Sequence, residues 1–235
     1  FAIDPNVTNS SRIVELDPAT GATLNTFNTP TGVSGATAGL AFDGHTIFLV
    51  DSVTDTLYEI QPDTGAVLDT MALATTPRWD GVAVMDGLLY LNDPVSQTVT
   101  VVNPATNTIV RSLSAGGNFV PSGGLGELPD ASGGQLIAPI GSSSVVALLD
   151  PVSGAVNSSF SHAAVNGTNV GATSIDGEIY LGFNDPGGTV LVYTPTGSLV
   201  RTFQVGFDVS GLGASNSIDG AHRITVAAGQ EVSGL

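Results

Sequence analysis

The 235-residue sequence predicts an all-β chain made of repeated four-stranded antiparallel sheets, and three observations carry that prediction. First, the stretch from Trp79 to Leu113 holds four short apolar runs, GVAV, LLYL, TVTVV and TIVRSL, each β-branched or aromatic. They are separated by Asp86-Gly87, by the polar loop from Asn92 to Gln97, and by Pro104-Ala-Thr-Asn107. Each gap has turn chemistry. A two-residue Asp-Gly hairpin needs positive φ, which Gly tolerates freely and Asp nearly so. The unit is therefore a four-stranded meander.

Second, the unit recurs. The turn between its third and fourth strands reappears at Pro18-Ala-Thr-Gly21, Pro62-Asp-Thr-Gly65, Pro151-Val-Ser-Gly154 and Pro195-Thr-Gly197. The turn between its first and second strands reappears at Asp43-Gly44, at a longer Asp130-Ala-Ser-Gly133, at Asp176-Gly177 and at Asp219-Gly220. Two independent turn types each count five, at the repeat length of propeller blades. Third, the two ends are out of phase. Phe1 to Asp4 matches the second strand at Phe48 to Asp51, and Arg12 to Leu16 matches a third strand. Val209 to Asp219 supplies a first strand and its turn. The ends complete one composite blade, which buries the edges an open sheet would expose. The expected fold is a five-bladed β-propeller, closed by N- and C-terminal strands.

In chain order, residues 1–33 form the outer strands of the closing blade. Residues 34–76, 77–116, 117–164 and 165–206 form one blade each, and 207–235 supply the inner strands of the closing blade. One segment is surplus to a closed ring. Phe1 to Asp4 and His222 to Ala227 compete for the same second-strand position, and Gln230 to Leu235 starts a further strand. The surplus reads as a linker or as a strand donated to a neighbouring molecule.

Composition narrows the function classes. Hydrophobic residues make up 42% of the chain and charged residues only 11%, so polarity comes mainly from Ser, Thr, Asn and Gly. The basic residues are Arg12, Arg78, Arg111, Arg201 and Arg223, with no Lys, and the formal charge is −16. That field repels nucleic acid and anionic membrane and attracts divalent cations. The chain has no Cys, which excludes disulfides and thiolate chemistry. No apolar run is long enough for a membrane span. The profile is that of an exported, extracellular protein.

Leu89-Tyr-Leu-Asn-Asp93 and the stretch from Thr98 to Val110 resemble the YVTN-type β-propeller repeat of microbial surface-layer proteins. Ile47 to Leu68, Val145 to Val156 and Ile179 to Leu199 resemble it in more diverged form. Members of that family usually have seven blades, and this chain counts five. The resemblance implies a non-enzymatic cell-surface module acting in a layer, sheath or filament, with copies of itself or other surface proteins as partners. The tail from Ala221 to Leu235 resembles the closing strand of modules in large bacterial surface proteins, which implies that further chain follows it.

Candidate sites are few. The loops after second strands carry Asp4, Asp51 with Asp55, Asp93, and Asp185, oxygen ligands of the kind calcium uses, and Asp is equally favoured in turns for its own hydrogen bonds. No other cofactor is expected. Arg78, Trp79 and Asp80 cluster before an inner strand. They read either as a channel-mouth platform for a sugar or as an aromatic filling the gap between blades beside solvated charges. Glu127, near another inner strand, pairs with Asp80 in the alternative reading, a carbohydrate-binding or glycoside-hydrolysing propeller. Gly123-Gly-Leu-Gly126 lacks phosphate-loop spacing and reads as crowding near the axis. His45, His162 and His222 are isolated and receive no catalytic role. Asn6, Asn9, Asn157 and Asn166 begin Asn-x-Ser/Thr sequons and are candidate glycosylation sites.

Overall fold

The computed structural model describes residues 1–5, 11–35, 38–73, 78–114, 124–130, 133–140 and 143–215. The chain opens with β1 (Ala2–Asp4), β2 (Arg12–Leu16) and β3 (Thr23–Asn28), paired in that order. Four complete meanders follow. The first is β4 (Ala38–Phe42), β5 (Ile47–Asp51), β6 (Thr56–Ile60) and β7 (Val67–Ala72). The second is β8 (Gly81–Met85), β9 (Leu88–Asp93), β10 (Thr98–Asn103) and β11 (Thr108–Ser114). The third is β12 (Gly126–Leu128), β13 (Gln135–Ile140), β14 (Val145–Leu149) and β15 (Val156–Ser161). The fourth is β16 (Thr168–Ile175), β17 (Glu178–Asn184), β18 (Thr189–Tyr193) and β19 (Leu199–Gln204).

The ends close the ring as the phase of the repeats predicts. Ile3 N donates to Gly211 O at 3.1 Å, Ser210 N to Ile3 O at 3.1 Å, and Gly213 N to Phe1 O at 3.0 Å. Residues 209–214 thus line β1 as the fourth, innermost strand of the first sheet. The second-strand position belongs to Ala2–Asp4. The competing segment His222 to Ala227, the Asp219-Gly220 turn and the stretch from Gln230 to Leu235 lie outside the described residues.

The core lies between blades, one cluster at each junction. Ile3 and Ile13 meet Leu40 and Leu49, and Val50 and Leu57 meet Val82 and Leu89. Tyr90 and Val99 meet Leu136 and Ala147, and Ile137 and Val146 meet Leu181 and Leu191. Tyr180 and Val190 meet Ala2 and Leu212, which joins the last sheet to the first and makes the molecule a closed five-bladed propeller. Strands packed on both faces need apolar residues at successive positions. This is why β8 reads GVAVM without alternation and is buried throughout. Each such Leu or Ile stabilises the fold by about 1.5–3 kcal/mol, and truncating Leu89 to Ala would cost about 2–5 kcal/mol.

The turns set the register. Asp86 and Gly87 take φ of 52° and 70°, and Asp176 and Gly177 take 51° and 78°, the positive pair that a two-residue hairpin requires. Between third and fourth strands, the Asp17 carboxylate accepts from Ala19 N, Thr20 N and the Thr20 hydroxyl, and Asp150 repeats this with Val152 and Ser153. Beside this turn, all five blades carry a β-bulge at the same place, opposite Glu15/Leu16, Glu59/Ile60, Val101/Val102, Leu148/Leu149 and Val192/Tyr193 of the third strands, with the extra residue on the outer strand. Such a bulge bends the outer strand and increases its local twist. Near the axis, a Cβ on Gly126 would come 2.6 Å from Ala172 O, so β12 and β16 leave no room for a side chain at that point.

Candidate functional site

The channel is built from inner strands β4, β8, β12 and β16 and from residues 209–214, and it encloses a cavity of only ≈ 10 Å³. That is about the space of one water. No substrate fits inside it, so chemistry at the channel is confined to its mouths.

Trp79 corrects one expectation. It is 4% exposed and sits in the junction between two blades with Phe48, Val50, Leu57, Val82 and Leu91. A platform for a sugar must show a ring face, and this ring is buried. The gap-filling alternative is the one the fold uses. Arg78 Nε donates to Asp80 Oδ1 at 2.7 Å, and Asp80 N donates to Asn92 O at 3.1 Å, which fixes Asp80 at the start of β8. Burial raises the Asp80 carboxyl above its ordinary range, and the Arg78 hydrogen bond and charge oppose that rise.

Glu127 lies on β12 and lines the channel. Burial pushes its carboxyl up to about 7, and the charges of Asp86 and Asp43 add to the effect. Those two aspartates belong to the turns at the far ends of β8 and β4, whereas Asp80 feels Asp93 at the near end. Backbone neighbours place Gly39 beside Gly81, Gly126 beside Ala172 and Thr173, and Gly213 beside Ala41. Traced round the ring, Glu127 is level with Val84, four positions along from Asp80, or roughly 13 Å of strand. Glycosidase carboxyl pairs stand about 5–9.5 Å apart. Asp80 and Glu127 therefore do not form such a pair.

The loop aspartates are spread round one face and engaged locally. Asp4 Oδ2 pairs with Arg12 Nη2 at 2.7 Å. Asp51 accepts from Ser34 N, Thr54 N and the Thr54 hydroxyl. Asp93 accepts from Val95 N and Ser96 N, and Asp185 from Thr189 N and its hydroxyl. Asp55 takes a φ of 48° as a turn residue. Among the described residues, no three His, Asp or Glu side chains converge as a metal site.

His45 is exposed, and His162 packs edge-on against Phe183 at 5.0 Å. Asn157 and Asn166 are exposed. Asn6, Asn9, His222, Arg223, Pro77 and Gly123 lie outside the described residues.

The blade junctions hold a constellation that the sequence reading did not single out. Arg111 Nη2 donates to the Tyr90 hydroxyl at 3.1 Å and to Pro151 O of the next blade at 3.0 Å, with its guanidinium 5.9 Å from the Tyr90 ring centre. Arg201 repeats the arrangement with the Tyr180 hydroxyl and ring and with Pro18 O of the closing blade, and adds an ion pair to Glu178 at 2.7 Å. A signal was present. Each Tyr follows its Asp-Gly turn by three positions, and each Arg follows the Asn or Gly of its outer turn by four. Beside Arg111 the junction opens into a cleft of ≈ 580 Å³.

No family model matches the chain, and no curated protein matches it in sequence. Solved structures match it in fold. Against a glutaminyl cyclase of Myxococcus xanthus the TM-score is 0.60 at 17% identity, over 85% of this chain and 83% of that one. A virginiamycin B lyase from Staphylococcus aureus gives 0.52 at 11% identity, over 83% and 63%. The WD40 β-propeller domain of Doa1 gives 0.52 at 14% identity, over 82% and 61%, so this chain spans under two thirds of the latter two. At such identities the similarity shows the propeller fold, and the matched proteins differ in what they do.

Proposed function

We propose that this propeller is a non-enzymatic, extracellular module of a cell-surface layer, sheath or filament, and that it associates with further copies of itself through its outer strands. One observation carries the reading. Three residues past the outer turn of four blades stands an exposed apolar side chain, Leu24, Leu68, Val110 or Val200, and in three of those blades an apolar neighbour, Val67, Ile109 or Leu199, precedes it. These residues are 44–67% exposed on strands whose outer edge has no partner among the described residues. A sheet edge with unpaired backbone groups and apolar side chains is a template for another strand, and most proteins blunt it with Lys or Pro. Here it repeats round the rim, so a copy bearing the same collar presents a matching surface.

The resemblance to surface-layer repeats supports this reading, as do the Cys-free, Lys-free composition and the exposed sequons at Asn157 and Asn166. Copies each carrying −16 repel one another, so apolar and backbone contacts must drive association.

Analytical ultracentrifugation over rising protein and NaCl concentration tests it. The expected result is association that strengthens as salt screens the repulsion and is abolished by L68K combined with V110K. A monomer at every concentration and salt would overturn the proposal.

A further inference from the structure

We infer that the cleft between the β8–β11 and β12–β15 blades is a binding site for a neutral, polyhydroxylated ligand, an oligosaccharide segment, recognised through Arg111. Arg111 and Arg201 hold equivalent places in two blades and differ in one partner. Arg201 has the Glu178 carboxylate at 2.7 Å. The residue at the corresponding place beside Arg111, one past the Asp-Gly turn, is Leu88, so the carboxylate is missing. Among the described residues Arg111 forms no ion pair, whereas its Nε, like that of Arg201, is buried without a hydrogen-bond partner.

The cleft is of ligand size. At ≈ 580 Å³ it falls within the roughly 300–1,000 Å³ span of small-molecule pockets. Its walls bring together Tyr90, the Arg111 guanidinium, the carboxyls of Asp86, Asp130 and Asp150, and the amides of Gln135 and Asn157. Asn157 occupies the very position that holds Leu24, Leu68, Val110 and Val200 in the other outer strands. The apolar collar therefore gives way to a side-chain amide on one of the two blades that border this cleft.

Charge selects the ligand. The aspartates and the net charge of −16 disfavour an anion, and the Arg111 guanidinium opposes a cation beside it. Hydroxyl groups suit both sets of partners, since each O–H donates to a carboxylate and accepts from a guanidinium or amide. The ligand has two available sources, a separate glycan or a glycan attached to this chain at Asn157, and they share that chemistry.

The test is an NMR titration of unglycosylated, 15N-labelled protein with maltotetraose, cellotetraose, chitotetraose and mannotetraose. We expect at least one to bind with Kd below about 1 mM, with shifts confined to residues lining the cleft, and R111Q to weaken binding tenfold or more. R201Q, in the junction whose Arg is already paired, leaves affinity unchanged. N157Q separates the sources: if binding by the bare protein survives, a separate glycan serves, and if only Asn157-glycosylated protein shows the cleft shifts, the attached one does. Should R111Q fail to fold, the wild-type shift map decides. No binding by any of the four with no cleft shifts in glycosylated protein, or shifts elsewhere on the surface, overturns the inference.

Discussion

Arg201 on the last complete blade reaches the carbonyl oxygen of Pro18 on the closing blade, 183 residues earlier in the chain, at 3.5 Å. This contact crosses the seam where the ring is shut by residues from both ends. The same guanidinium lies 5.3 Å from the Tyr180 ring centre and pairs with Glu178. A planar fork makes these contacts together, and an ammonium cannot. R201K should therefore destabilise the protein nearly as much as R201A, by about 1–2 kcal/mol once solvent screening of a one-third exposed pair is allowed for. Urea denaturation reads this, and a midpoint unchanged by either substitution refutes the seam's role.

Gly65 and Gly154 should resist replacement by Val unequally. Both hold positive φ, 72° and 75°, which a β-branched residue adopts only under strain. At Gly65 a Cβ would also come 2.4 Å from the Phe27 ring of the preceding blade, against 3.1 Å from Ser114 O at Gly154. G154V should cost about 1–3 kcal/mol through backbone strain. G65V should cost more, since it overpacks a junction too. Thermal melts of both variants check the order, and equal or absent losses would remove the steric part of the argument.

The two kinds of carboxylate should give opposite pH responses. Glu127 is raised by burial from 4.5 to about 7, so the folded state favours its protonated form. Its contribution is favourable below the unfolded value and is lost as pH climbs from about 4.5 through 7. E127Q should thus stabilise the protein at pH 8, by about 1–2 kcal/mol after screening at the channel mouth, and change little at pH 4. Asp17 and Asp150 are held below 3.8 chiefly by the hydroxyls of Thr20 and Ser153. Their contribution is present above that value and disappears as pH falls through the folded one. Melting temperatures of wild type, E127Q and D150N from pH 3 to 8 test both signs. A wild-type–E127Q difference that is flat across pH would rule out the Glu127 account.

The sequence left the site readings open between alternatives for a physical reason visible in particular residues. Trp79 next to Arg78 and Asp80 looks like a recognition cluster in the chain, yet the ring belongs to the apolar junction and only Arg78 faces solvent freely. Asp80 and Glu127 each precede or occupy an inner strand, and nothing local says that one sits at its entry and the other near its exit. Arg111 and Arg201 stand in nearly identical phrases, IVRSL and LVRTF, and differ in their partners because Leu88 stands on another strand at the counterpart of Glu178.

The sequence by itself determined the parts of this protein whose causes lie within a few residues: the Asp-Gly hairpins, the Asp-capped outer turns, the number of repeats and the offset of the two ends. Turn conformation depends on which side chains tolerate positive φ and which can cap their own backbone, and both can be read in a short window. The tertiary structure alone decided which side chains meet across blades, and therefore the burial of Trp79, the separation of Asp80 from Glu127, and the cleft beside Arg111. Those outcomes depend on partners one repeat away or at the opposite terminus, and packing between blades supplies the energy that selects them.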